Sequence, residues 1–318
     1  MRVGQNPAKF VKTVAQPAPI TATVVSCVPF LSGFYEQNLE VLKACIHSLH
    51  SNRKRQFDLM VFDNHSCREV RDFLVDAHEK GMIQTLVLSE ENIGKIGAWN
   101  FMFGAAQGRY IAFCDSDVYF RPGWLDASLE LFDCFPNVGM VTGRPTRTQE
   151  EYLSATLAWG RGQGEACFRE GVLLDWDTYF EHTNSLGLPE DKAREEFHAG
   201  KDYLLTCGGK SAFAGAGHFQ FIAKKEVLDR IFPIPSEKPM RGEPLLDQTV
   251  NELGYLRLST VEPYVLHMGN QVPASVTQPK ELRVPKPWLK SLANIPLLRS
   301  ILMRMYGAIF HIYFNNVD

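Results

Sequence analysis

From Thr21 onward, short apolar runs rich in β-branched residues alternate with stretches whose apolar positions recur every three to four residues. That rhythm marks successive strand–helix–strand units and predicts an α/β fold around a mostly parallel central sheet, with helices on both faces. Thr23–Val28 reads as the first strand, stopped by Pro29, and Asp58–Phe62 as the second, ending at Asp63 and Asn64. Ile83–Leu88 and Tyr110–Cys114 read as the third and fourth. The intervening helices are expected around Leu39–Leu49, Glu69–Glu79 and Ala98–Ala106, the second of them closed by Gly81. Another helix follows Trp124 as far as Phe135, and Val138–Thr142 reads as a strand.

Between Arg144 and Lys210 the rhythm breaks. Charges, the Gly160–Gly164 run and scattered aromatics predict a partly helical insertion there. Apolar strand-like sequence returns at Phe213–Ala223, followed by a short helix over Lys225–Ile231, a helix over Leu245–Leu253 and short strands at Leu256–Ser259 and Tyr264–His267. From Lys280 to Arg304 the charged residues are six basic against one acidic, and they flank an apolar stretch that predicts a C-terminal helical extension.

Composition narrows the classes. The 318 residues are 45% hydrophobic and 22% charged, as in a globular protein with ample core, and the net charge of -3 gives no field for nucleic acid. Seven cysteines without a C-x-x-C pair read as buried free thiols in a reducing, cytoplasmic compartment. Pro7, Pro17 and Pro19 break the first twenty residues, which have no apolar core of a secretory signal and read as a loose arm. No uncharged apolar run is long enough to span a bilayer, although the basic C-terminus could hold the chain peripherally against an anionic membrane. Nothing in the composition sets an oligomeric state.

The fourth strand ends in Asp115-Ser116-Asp117, which places two carboxylates where open α/β sheets bind ligands. An Asp-x-Asp can also be a plain turn or helix cap. Here it joins the first-strand turn at Pro29, the second-strand end Asp63-Asn64-His65-Ser66, the run Asn92–Asn100 and the turn Pro122-Gly123-Trp124-Leu125. In that order and spacing, over about a third of the chain, these segments resemble the nucleotide-sugar half of family 2 glycosyltransferases with the Rossmann-like GT-A fold.

The resemblance implies an arm over 1–20, a nucleotide-sugar-binding half over 21–143, an acceptor-binding and catalytic half of the same domain over 144–275 and an extension over 276–318. It implies transfer of a hexose from a UDP- or GDP-sugar to a glycan or lipid-linked acceptor with Mn²⁺ or Mg²⁺. Asp117 would bind the metal, joined by Asp115 directly or through water and by His267, which otherwise reads as a core histidine. Pro29, Phe30, Asp63, Asn92, Gly94, Lys95, Asp115 and Ser116 would line the donor site, with Asp63 on the nucleobase. Gly215–Gln220 matches the family's small-residue segment near the donor sugar. The family's acidic base falls in Gly242–Gln248, where the usual Glu-Asp pair is missing. Spacing to Gly254 favours Glu243, the Asp-Gln helix start favours Asp247, and Asp247 is preferred. Inversion is expected, with retention open. Two alternatives stand beside this reading: a haloacid-dehalogenase-like phosphatase using Asp115 and Asp117, and a sugar-nucleotide-binding protein without catalysis.

Overall fold

The computed structural model describes residues 5–52, 54–236, 242–274 and 276. Four strands lie side by side in parallel: β1 (Ile20–Ser26), β2 (Asp58–Asn64), β3 (Thr85–Ser89) and β4 (Tyr110–Asp115). Their crossovers are α1 (Asn38–Ser51), α2 (Arg68–Glu79) and α3 (Gly94–Ala105). Each helix buries one stripe: Val70, Leu74 and Ala77 of α2 recur at i, i+4 and i+7 and are fully covered.

After β4 come the short β5 (Val118–Phe120), α4 (Trp124–Cys134) and β6 (Val138–Thr142). Then follow α5 (Ser154–Gly162), β7 (Phe168–Gly171), α6 (Trp176–Ser185), α7 (Glu190–Ala199), β8 (Asp202–Cys207), β9 (Lys210–Ala214) and β10 (Gln220–Lys224). The described chain closes with α8 (Lys225–Leu228), α9 (Glu243–Glu252), β11 (Leu256–Thr260) and β12 (Val265–His267). Ten strands form one sheet in the order β3-β2-β1-β4-β10-β6-β11-β9-β8-β7, and β12 pairs with β5 in a separate ribbon. Following the pairings across the large sheet, only β10, β9 and β7 run against the rest, so the expected mostly parallel α/β sheet holds.

Several boundaries differ from the sequence reading. β1 starts at Ile20, inside the expected arm, and α3 starts at Gly94. The apolar stretch Phe213–Ala223 is two strands, because Gly215 at φ +139° breaks it. The insertion expected to be partly helical contains β7 and β8 besides its helices, and these strands extend the sheet through β9. The chain divides at 278 and 279, and the predicted helical extension, apart from Val276, lies outside the described residues. Among the described residues no helix is long and apolar enough to cross a membrane, and all seven cysteines are free thiols.

The face of the sheet covered by α3 is filled with aromatics. Trp99, fully buried, meets Phe103, Phe113, Phe221 and Phe232 with ring centroids 5.1–6.3 Å apart. Trp99 stacks on Phe103 within α3 and packs edge-to-face on the other three, which adds to burial and fixes α3 against β4 and β10.

Candidate functional site

The strand order reverses between β1 and β4, since β1 leads outward to β2 and β3 while β4 opens the other wing. At such a switch point the loops at the carboxyl ends diverge and leave a crevice. Asp115 sits there, opposite Val25 of β1, and Asp63 stands beside Ser26 at the end of β2. Lys95 reaches the crevice from the first turn of α3, because Gly94 adopts φ +75° and turns the chain into the helix. Its Nζ lies 2.7 Å from Asp115 Oδ2. Burial pushes the Asp115 carboxyl above the usual carboxylate range, Lys95 opposes that push, and Asp117 adds to it.

Asp63 is fully buried. Its Oδ2 accepts from Arg71 Nε and Ser66 N, both at 3.2 Å, while Oδ1 has no hydrogen-bond partner. Asn92 serves the loop itself: its Oδ1 accepts from Asn64 Nδ2 and from Gly94 N, both at 2.9 Å. Asn100 ties the loop after α8 by bonding Ile234 through both its amide atoms. Pro29 and Phe30 lie exposed beyond β1, with the Phe30 ring edge-on to Tyr35 at 5.3 Å. Ser116, half-buried, is the turn residue between the two aspartates.

Asp117 faces the other way, toward the β5–β12 ribbon. Met268 N donates to its carbonyl at 2.8 Å, and its Oδ2 lies 3.2 Å from His267 Nε2. The far side of that ring is held, with Ser185 Oγ 2.9 Å from Nδ1. A hydroxyl bonded to the far ring nitrogen in this way orients an imidazole toward a ligand. Asp117 Oδ1 is buried with no partner, as a carboxylate oxygen awaiting a cation would be. A hard cation that keeps diphosphate and water oxygens needs only one or two protein ligands, so Asp117 with His267 fits the implied divalent metal. Asp115 fits less directly, because Lys95 occupies one of its oxygens. The described residues contain no preassembled group of three or more His, Cys, Asp or Glu side chains.

His267 also lines a cavity of about 510 Å³ whose walls include Thr146, His182, Gly217, His218, Phe219 and Asp247. Asp247 lies on the second turn of α9, not at its cap, and is 6% exposed. Its Oδ1 is 2.7 Å from Nη2 of Arg257 and its Oδ2 3.6 Å from Nδ1 of His218. Arg257 is completely buried on β11, where it also donates to the carbonyls of Ala216 at 2.6 Å and Tyr152 at 3.1 Å. Burial lowers its pKa and Asp247 raises it back. Glu243, the first residue of α9, is also buried but is not among the residues lining this cavity.

His182 lies between Phe219 and His267, at ring distances of 5.0 and 5.7 Å. Burial, with Arg144 and His267 adding to it, brings its pKa down to about 3, so the ring is neutral. Arg144, itself fully buried, donates to Thr178 O at 2.7 Å and faces Glu181 at 3.5 Å; burial lowers its pKa to about 10. A second cavity of about 620 Å³ shares Thr146–Gln149, His182 and Leu186 with the first and runs on to Lys201 and Tyr203.

The structure thus brings together Asp115, Ser116, Asp117, Lys95 and His267, with Asp247 across the adjoining cavity. Arg257, His218, His182 and Ser185 were not singled out from the sequence. Only Arg257 carried a usable signal: a lone charge inside the apolar run Leu256–Ser259 points to a buried partner.

Residues 34–190 match the sequence profile described as Glycosyl transferase family 2. A curated relative, an uncharacterized glycosyltransferase of Nostoc sp., is 27% identical over 100 residues, which is 31% of this chain and 31% of the relative. The chain therefore spans about a third of that relative's length. Among solved structures, GalNAc-T7 with UDP, GalNAc and Mn²⁺ superposes with a TM-score of 0.49 at 13% identity, covering 79% of this chain and 44% of that one. Residues 1–349 of S. aureus TarS give 0.45 at 12% identity over 77% and 59% of the two chains. The mannosyltransferase PcManGT of Pyrobaculum calidifontis, in complex with GDP-Man and Mn²⁺, gives 0.42 at 14% over 77% and 55%.

Proposed function

We propose that this chain, whose residues 34–190 belong to glycosyltransferase family 2, moves a hexose from a UDP- or GDP-sugar to a hydroxyl of a glycan or lipid-linked acceptor, with inversion. The observation that carries the reading is the juxtaposition of two carboxylate ends. Asp117 against His267 stands on one side, by the β5–β12 ribbon next to the crevice that holds Asp115, and Asp247 stands across a cavity that His267 also lines.

A bound Mn²⁺ or Mg²⁺ would supply Lewis-acid neutralisation of the departing diphosphate. Asp117 and His267 would hold it, and Ser185 keeps the imidazole aimed at the site. Lys95 contributes a positive charge at the β1–β4 crevice, where it balances Asp115 and would help neutralise a bound diphosphate. Asp63, buried and with one free oxygen, supports the role of reading the nucleobase, with Arg71 holding the other oxygen in place. Pro29, Phe30, Asn92, Gly94 and Ser116 form the surrounding loops.

An inverting transfer needs a proton acceptor on the face of the sugar opposite the leaving group. The acidic group lining the acceptor-side cavity is Asp247, which favours it over Glu243 as the carboxylate that serves this step. The adjoining second cavity, walled by Arg147, Leu174, Thr178, Tyr179 and Leu186, gives an acceptor longer than one sugar room to lie against. The phosphatase alternative is less well supported, because the aspartates end the fourth strand in the chain rather than the first.

Thermal-shift measurements with UDP, GDP and their hexose conjugates, with and without Mn²⁺, test the proposal. At least one nucleotide sugar should raise the Tm of the wild type only when Mn²⁺ is present, since a ligand that binds the native state alone stabilises it. Asp117→Ala should lose that Mn²⁺-dependent gain and any donor turnover while its ligand-free Tm stays within about 2 °C of wild type. A panel with no Mn²⁺-dependent gain, or an Asp117→Ala variant of full activity, would sink the reading.

A further inference from the structure

The geometry points to His218 as the group that takes the proton from the acceptor hydroxyl, with Asp247 acting through it as a positioning residue. This inference rests on the glycosyltransferase reading above. Access decides between the two side chains. The Asp247 side chain is 9% exposed, with Arg257 on one carboxylate oxygen at 2.7 Å and His218 facing the other at 3.6 Å. An acceptor hydroxyl approaching from the cavity meets the imidazole before it meets the carboxylate. The His218 side chain is 44% exposed and lines the same cavity as His267. With Nδ1 turned to Asp247, Nε2 is the ring nitrogen left for the cavity.

The loop that carries His218 is built for a fixed position. Gly217 N donates to Thr142 Oγ1 at 2.8 Å, and Gly215 N donates to Arg257 O at 2.9 Å. Arg257 itself donates to Ala216 O, so one buried guanidinium ties down both the carboxylate and the loop that presents the imidazole. Gly215 has no alternative: at φ +139°, an added Cβ would lie 2.4 Å from Thr146 O. An acid that orients a histidine, which in turn faces the reacting hydroxyl, is a general way to make an effective base.

The step balances with no further reagent. His218 Nε2 accepts the hydroxyl proton as the acceptor oxygen forms its bond to the anomeric carbon. The bond from that carbon to the diphosphate oxygen breaks, and the nucleoside diphosphate leaves with the electron pair. The imidazolium so formed faces the Asp247 carboxylate. The other ionisable groups around it are Arg257 paired with Asp247, and Arg147, Tyr152, His182 and His267 on the walls of the shared cavity.

The experiment uses the full chain, with UDP-glucose, UDP-N-acetylglucosamine and GDP-mannose as probes, each with Mn²⁺. Donor affinity is read by calorimetry and release of nucleoside diphosphate gives kcat. His218→Ala should lower kcat by 10²-fold or more, within the range of general-base contributions, with donor Kd within about threefold of wild type. Because the position is open to solvent, added imidazole should restore at least a tenth of the lost rate. The acid limb of the kcat–pH profile should vanish in His218→Gln and persist in His182→Gln. Retention of kcat within threefold in His218→Ala, loss without imidazole rescue, loss of donor affinity, or an acid limb that survives in His218→Gln each overturns the assignment. A wild-type chain that binds none of the probes gives a different result, the failure of the glycosyltransferase reading itself.

Discussion

His182 shows how burial next to cations sets the behaviour of one side chain. Its pKa falls from 6.5 to about 3 in the folded protein, chiefly by burial. Between those values the unfolded chain binds a proton that the fold refuses, so stability contributed by the neutral ring is fully present above pH 6.5 and is lost as pH falls toward 3. At pH 5 the loss amounts to about 2 kcal/mol. His182→Phe keeps the ring contact with Phe219 and removes the titration. Denaturant melts of the variant should therefore show a pH 7 to pH 5 stability difference about 2 kcal/mol smaller than that of the wild type. An unchanged difference would mean that His182 is protonated in the fold. The candidate-site residues divide by the same physics. Asp115 and Asp117 stand at the end of a strand with an unbroken apolar core, and that contrast is visible in the sequence. His218 gains its role from Asp247, about 30 positions away in the chain, and the small-residue segment around it does not announce that role, whereas Arg257 shows only as a lone charge in an apolar run whose partners cannot be read locally.

At the level of elements, β11 and α9 are locked by one ion pair. Arg257→Met removes the guanidinium, leaves Asp247 without its ion-pair partner and leaves the carbonyls of Ala216 and Tyr152 without their donor. Breaking a buried pair by removing one partner costs about 3–5 kcal/mol. The urea midpoint should fall accordingly, and a loss under 1 kcal/mol would show that the pair is not what holds α9 to the sheet. The helices and strands of the first half are legible because each has one clean period: α1 buries Val41, Leu42, Cys45, Ile46 and Leu49, and β2 buries its six residues from Leu59 onward. β7 and β8 carry no such signal. β7 is only four residues long with its middle pair exposed, and β8 begins with the buried Asp202, whose carboxylate holds Arg147 and the backbone of Leu173 and Leu174. A strand whose interior charge is satisfied by tertiary partners reads as a loop until those partners are known.

For the whole molecule, the division of the chain at 278 and 279 makes a further prediction. A chain ending at Gln278 should unfold in one transition with a urea midpoint equal to that of the full chain, and should show the same response to nucleotide sugars with Mn²⁺ that the proposed function expects of the full chain. A broad or lowered transition would show that the last forty residues stabilise the catalytic unit. The α/β class was legible because composition and alternation already demanded a large covered sheet. The place of β10 was not, since nothing local tells a late strand to insert beside an early one.

That insertion matters while the protein is being made. β4, which delivers both aspartates, pairs on one side with β1 and on the other with β10, and Asp115 N donates to Phe219 O. A ribosome that has finished β4 must add about 100 more residues before its second neighbour exists, on the order of 5–20 s at ordinary elongation rates. During that interval the nascent chain holds an open, strongly apolar strand edge, Ile111-Ala112-Phe113-Cys114, of the kind that chaperones shield. The two aspartates are thus synthesised early and set in their final geometry late. A fragment cut after residue 143 would carry the motif without the strand that completes it.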